Sequence, residues 1–142
     1  MTDPMNDETE VLPRYGVGTP PSQRRAVGHE GEAIALRQLV ETPGWELLAQ
    51  NVHYRAGELD IIALDGDVLV FVEVRSRWTQ RGPRAEDSIQ RTKQRRLTRA
   101  ALLWLQANPH WRRLRARFDV MSVDLRTRRV VAHYRTAVEA EA

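Results

Sequence analysis

The sequence has no cysteine, so neither a disulfide nor a thiolate metal site can be built from it. It has one lysine, Lys93, against 21 arginines. No run of about 18 apolar residues exists to make a membrane span. The first ten residues are acidic and polar, without the basic and apolar regions of a secretory signal, so a cytoplasmic protein is expected. There is no glycine-rich loop followed by Lys-Ser or Lys-Thr, which argues against a phosphate-cradling nucleotide site. Gly-x-Ser-x-Gly is absent too, as is the serine nucleophile it would carry. His29, His53, His110 and His133 stand at no metal-ligand spacing from one another.

What is present is a chain of 142 residues, 42% apolar and 29% charged, the balance of one soluble domain. Its net charge of +3 conceals two unlike halves. Residues 1–70 carry 5 basic and 12 acidic side chains, whereas residues 71–142 carry 17 basic and 7 acidic. A basic half of this kind favours a polyanionic partner, and nucleic acid is expected. The plainer alternative is a solvated arginine face.

Residues 1–24, with Thr19-Pro20-Pro21-Ser22, show no apolar period and read as an unstructured tail ahead of a domain at 25–138. Ala33, Ile34, Leu36, Leu39 and Val40 predict a helix over 27–41, stopped by Thr42-Pro43-Gly44. A short strand is expected near 45–48, continuing towards Tyr54. Residues 58–64 and 68–76 read as two strands around the turn dipeptide Asp65-Gly66. A second helix is expected from 87 or 88 to 107, ended by Asn108-Pro109. Two late strands at 118–123 and 130–134 are joined by a basic turn at 126–129. This order predicts an α/β or α+β sandwich around one sheet.

If Asp65-Gly66 were the whole turn, Asp60 would face Phe71 and Glu58 would face Glu73, with Asp60 diagonal to Glu73. Alternation would put Glu58, Asp60, Ile62, Leu69, Phe71 and Glu73 on one face. Carboxylates opposed across a sheet and set among apolar groups are unfavourable. A divalent cation such as Mg2+ or Mn2+ removes that penalty, because hard oxygen ligands converge on it. Glu32 falls at the N-terminal end of the first helix's apolar stripe, where it either joins the carboxylates or rides the edge into water. Arg75 shares the face of Glu73 and either serves the site or only neutralises an acid. Lys93 is spaced with Ile89, Leu97, Ala100 and Trp104, and either reaches the carboxylates or extends into solvent.

Gly28-His29-Glu30-Gly31-Glu32-Ala33, Asn51, Gly57-Glu58-Leu59-Asp60-Ile61-Ile62-Ala63 and Phe71-Val72-Glu73-Val74-Arg75-Ser76-Arg77 together resemble the YraN-like bacterial proteins. Lys93-Gln94-Arg95-Arg96-Leu97 and Arg117-Phe118-Asp119-Val120 extend the resemblance over roughly residues 27 to 138. That family is grouped by similarity with the restriction-endonuclease-like, PD-(D/E)XK nucleases. The resemblance implies a central mixed sheet flanked by helices. It implies Asp60 and Glu73 as metal-binding acids, the Val74 carbonyl as a further ligand and Glu32 as a supporting carboxylate. Two departures stand out. Leu59 occupies the place of the motif proline, and Arg75 occupies that of the motif lysine, where a permanently charged guanidinium orients or stabilises but does not act as a base.

The expected function is metal-dependent hydrolysis of phosphodiester bonds in nucleic acid, with DNA the expected substrate. Asp60 and Glu73 would hold Mg2+ or Mn2+, and Arg75 or Lys93 would orient the nucleophile or stabilise developing charge. Arg77, Arg81, Arg84, Arg91 and Arg95 would hold flanking phosphates. Trp78 would either stack on a base or pack on its loop. The assembly expected is a homodimer or a place in a larger DNA-processing complex. The alternative is a catalytically inactive nucleic-acid-binding module on the same scaffold.

Overall fold

The computed structural model describes residues 21–78 and 91–138. Helix α1 (Pro21–Glu41) leads into three strands, β1 (Trp45–Tyr54), β2 (Gly57–Asp65) and β3 (Val68–Arg77). Helix α2 (Arg91–Ala107) and a 3-10 turn (Pro109–Trp111) follow, then β4 (Ala116–Asp124) and β5 (Arg129–Val138). Helix α1 starts at Pro21, earlier than the start expected at residue 27. Pro21 opens the helix, a position where its fixed φ fits and its missing N–H costs nothing. Residues 1–20, and the start expected for the second helix at 87 or 88, lie outside the described residues.

The five strands form one mixed sheet in the order β1-β2-β3-β4-β5. Only β3 and β4 run parallel, as their connection through α2 requires. The apolar stripe of α1, Ala35 and Leu39, buries against Ile61, Ala63, Val70, Val72, Met121 and Val123 on one face. Leu97, Ala100, Ala101 and Trp104 of α2 cover Leu59, Ile62, Leu69, Phe71, Phe118 and Val120 on the other. The result is a helix–sheet–helix sandwich, and no helix among the described residues is long and apolar enough to cross a membrane.

The hairpin register differs from the expected one by two residues. Asp65 pairs with Val68 and Ile62 with Phe71, so the two-residue turn is Gly66-Asp67. Gly66, at φ 60°, takes the first central position, the place a type II′ turn reserves for glycine. Glu58 therefore does not oppose Glu73. It pairs with His53 across β1 and β2, with Nδ1 to Oε1 at 3.2 Å.

Alternation holds along β3 but breaks along β2. Leu59 joins Ile62 on the α2 face, while Ile61 faces α1. The break falls opposite Asn51, which lies between the pairs Gln50↔Ile61 and Val52↔Leu59 and adopts a left-handed φ of 55°. A left-handed residue rotates the strand, and the alternation of both partners shifts there. Asparagine tolerates this conformation; alanine there is strained by about 1–2 kcal/mol. In urea denaturation Asn51→Gly is therefore expected to be more stable than Asn51→Ala by about 1 kcal/mol, the reverse of the usual strand order. Equal midpoints, or a more stable alanine variant, would contradict this account of the kink.

At the other end of the α1 face lies a buried ionic network. The Asp119 carboxylate, whose side chain is fully buried, accepts from Arg117 Nε at 3.0 Å and from the Thr136 N–H at 3.1 Å, and lies 2.8 Å from His133 Nε2. Arg117 also donates to Asp65 at 2.8 Å and lies over the Trp45 ring. Burial alone would raise the Asp119 pKa. The bonds from His133, Arg117 and the Thr136 N–H outweigh it and hold the carboxyl below its ordinary value.

Candidate active site

The β2–β3 ladder closes at Ile61↔Val72. Beyond it the Asp60 side chain reaches across to β3, where its Oδ2 accepts the Val74 N–H at 2.9 Å. A carboxylate thus takes the place of a ladder bond where the two strands part. Glu73 follows Phe71 by two residues on regularly alternating β3, so it and Arg75 face α2. The kink at Asn51 and the straight run of β3 bring the two acids to one fork.

Helix α2 supplies the cation. Lys93 lies one turn before Leu97 on the buried stripe, and its Nζ sits 2.7 Å from Glu73 Oε1. Arg75 Nε lies 3.7 Å from the same oxygen, beyond hydrogen-bond reach, and is buried with no hydrogen-bond partner. Close approach of α2 to β2 depends on Gly57, since a Cβ there would fall 2.6 Å from the Arg96 carbonyl oxygen. Gly31 serves α1 likewise, because its Cβ would meet Ser76 Cβ at 2.8 Å.

These groups line a cleft of about 610 Å3, walled by Asp60, Glu73, Arg75 and Lys93 together with Tyr54, Arg55, Glu58 and Arg96. Burial comes first among the causes that raise the Asp60 pKa well above the ordinary carboxylate value. The charge of Glu73 adds to it, the Val74 N–H bond opposes it, and the charge of Glu32 raises it further. Glu32, half-buried on α1, is therefore close enough to be felt by Asp60, though it does not line the cleft. Among the described residues no three His, Asp or Glu side chains form a ready metal cage.

Of the residues singled out in the sequence, Asp60, Glu73, Arg75 and Lys93 meet in this cleft. Val74 contributes its N–H to Asp60. Arg77 is half-buried at the end of β3, in register with Asp124. Arg91 and Arg95 are exposed on α2 outside the cleft walls, and Trp78 is 52% exposed. Arg81 and Arg84 lie outside the described residues. Sequence reasoning passed over Tyr54, Arg55 and Arg96. Arg96 was findable, standing three residues after Lys93 and so beside it on the helix.

The profile of the Uncharacterised protein family UPF0102 matches residues 31–123. A UPF0102 protein of Bordetella avium (strain 197N) is 48% identical over 104 residues, 73% of this chain and 70% of the relative. One from Alkalilimnicola ehrlichii is 46% identical over 104 residues, covering 73% and 82% of the two chains. One from Stutzerimonas stutzeri (strain A1501) is 42% identical over 102 residues, covering 72% and 84%. The matched span runs from Gly31 through the acids of β2 and β3 and Lys93 to Val123 at the end of β4. The chain belongs to the UPF0102 family, the YraN-like proteins that its motifs resemble.

Proposed function

We propose that the protein is a metal-dependent endonuclease of the restriction-endonuclease-like class, acting on phosphodiester bonds in nucleic acid, with DNA the expected substrate. One observation carries the reading: Asp60 and Glu73 converge where two strands part, in a cleft whose wall holds the cations Lys93 and Arg75. Two acids held together at a cost to Asp60 are a hard-oxygen donor set suited to Mg2+ or Mn2+. Asp60 and Glu73 would hold the ion, with Glu32 adding negative potential and the Val74 carbonyl available as a further oxygen. The ion would supply Lewis-acid polarisation of the phosphate and a lowered pKa for bound water.

In the hydrolysis, a water oxygen bonds to phosphorus, the bond to the leaving ester oxygen breaks, and that oxygen takes up a proton. Arg75, whose side chain lines the cleft, donates from its guanidinium to a non-bridging phosphate oxygen. The Lys93 ammonium, fixed by Glu73, orients the attacking water or stabilises charge developing on the phosphate. Arg55 and Arg96, in the cleft wall, hold adjoining phosphates. The setting this implies is a cytoplasmic protein working on DNA, alone, as a homodimer or within a larger complex.

A second reading, an inactive nucleic-acid-binding module, draws support from the Lys93–Glu73 ion pair, which already neutralises one acid, and from arginine in the motif lysine position. Labelled single-stranded, duplex and four-way-junction DNA, incubated with Mg2+ or Mn2+, separate the two. Cutting that needs metal and disappears in Glu73→Ala is the expected result. No cutting by folded protein, nor by Arg75→Lys, would leave the binding module as the function.

A further inference from the structure

Residues 91–118 contain nine basic side chains and no acidic one. Lys93 and Arg117 are engaged with Glu73, Asp65 and Asp119. Arg91, Arg95 and Arg96 on α2, and Arg112, Arg113 and Arg115 beyond it, are exposed, and among the described residues no carboxylate pairs with any of these six. Like charges gathered this way repel one another, and a polyanion relieves the repulsion.

The fold sets these arginines along one direction. Lys93 and Arg96 stand at the cleft, and eleven residues after Lys93 the Trp104 ring packs edge-on to Phe71, at 6.1 Å between centroids. The chain then turns at Pro109–Trp111, and Trp111 and Leu114 pack on the same apolar cluster, which fixes the backbone that carries Arg112, Arg113 and Arg115. The Arg115 carbonyl accepts the Leu69 N–H at 2.8 Å, so this turn is anchored at the start of β3. Leu69 is four residues before Glu73, about 13 Å along the strand. At ~3.4 Å of helix axis per base pair, that distance is about four base-pair steps along the axis of a duplex.

We infer that a nucleic-acid duplex entering the cleft continues along the α2 side of the sheet, with Arg112, Arg113 and Arg115 holding phosphates about four base pairs along its axis from the one at Asp60 and Glu73. The inference builds on the nucleic-acid reading of the cleft but not on turnover. A protein partner would need an apolar centre within its contact surface. On this face Leu102 is the one exposed large hydrophobic among the described residues of α2 and the following turn. Guanidinium forks at intervals suit phosphates instead.

The test is fluorescence anisotropy with a labelled DNA duplex of about 20 base pairs, in chelator, across a salt series, using the full chain. The Arg112→Gln/Arg113→Gln/Arg115→Gln variant is compared with a charge-matched control, Arg37→Gln/Arg126→Gln/Arg129→Gln, whose sites are exposed on α1 and around the β4–β5 turn. The track variant is expected to lose affinity about 10- to 100-fold near ~100 mM salt, with its salt slope lower by about two to three, while the control changes less than about threefold. Equal losses in both variants would reduce the effect to net charge and overturn the track, as would an unchanged track variant. Wild-type protein that ignores DNA but binds polyglutamate would overturn it in favour of an acidic protein. Because the readout is binding without metal, absence of cleavage leaves the track standing, and loss of the track leaves cleavage to be judged separately.

Discussion

Lys93→Met is expected to lower turnover by about 10²- to 10³-fold while leaving DNA affinity in chelator within a few-fold of wild type. The reasoning is positional. Of the two cations, Lys93 is the one within hydrogen-bond distance of Glu73, at 2.7 Å, whereas Arg75 Nε lies 3.7 Å away. Lys93 is also carried by a helix anchored through the buried Leu97, Ala100 and Trp104. One phosphate contact among many contributes little to ground-state binding, but a charge aimed at the reacting phosphate acts mostly in the transition state. Single-turnover cleavage beside chelator anisotropy reads the two effects separately, and a thermal melt checks the fold. Should Lys93→Met cut normally while Arg75→Met is dead, the assignment reverses and Arg75 is the cation that matters.

The second large effect concerns stability. Asp119→Ala is expected to destabilise the fold by about 3–5 kcal/mol, because it strips the counter-charge and acceptors from a buried cluster instead of removing the cluster whole. Arg117 would keep Asp65 but lose two hydrogen bonds, while His133 and the Thr136 N–H would lose their acceptor. A loss of that size is a large share of a domain's total stability. Asp119 also predicts a pH dependence. Its folded pKa is depressed, so its stabilisation is present above the unfolded carboxylate value, near pH ~4, and is lost as pH falls through the folded value. Urea midpoints from neutral to acid pH should therefore show wild type and Asp119→Ala converging in acid. Parallel curves, or a neutral-pH difference below about 1 kcal/mol, would show that the network contributes little.

What the sequence disclosed depended on how local the cause was. The period of β3 puts Glu73 and Arg75 on the α2 side, and helical spacing puts Lys93 on the same stripe as Leu97 and Trp104; both follow from local geometry. Asp60 and Glu73 lie in one cleft, but not by the diagonal placement that the alternation pattern predicts. The turn at Gly66-Asp67 shifts the register so that positions 60 and 73 oppose each other, and Asn51 across from Asp60 has a left-handed φ; neither is fixed by the alternation pattern. Glu58 shares a face with Asp60 by parity but opens its strand, where a solvated acid is ordinary, and it pairs with His53 at the exposed rim of the cleft. The Asp119 network was illegible because it needs the parallel register of β3 with β4 and the antiparallel register of β4 with β5 together. In the sequence Arg117 and Asp119 belong to a motif of the resemblance, Asp65 reads as a turn residue and His133 as an isolated histidine, and no local pattern joins them.

The parallel junction in the middle of the sheet also sets an order of assembly. Strands β2 and β3 meet through a two-residue turn, an event of about 1–10 μs, whereas Leu69 and its partner Ala116 are 47 positions apart. Closing that span costs chain entropy before any ladder bond is returned, so a hairpin carrying Asp60 and Glu73 forms ahead of the crossover that delivers Lys93. On this order the two acids come together on one hairpin before the ammonium of Lys93 can reach Glu73.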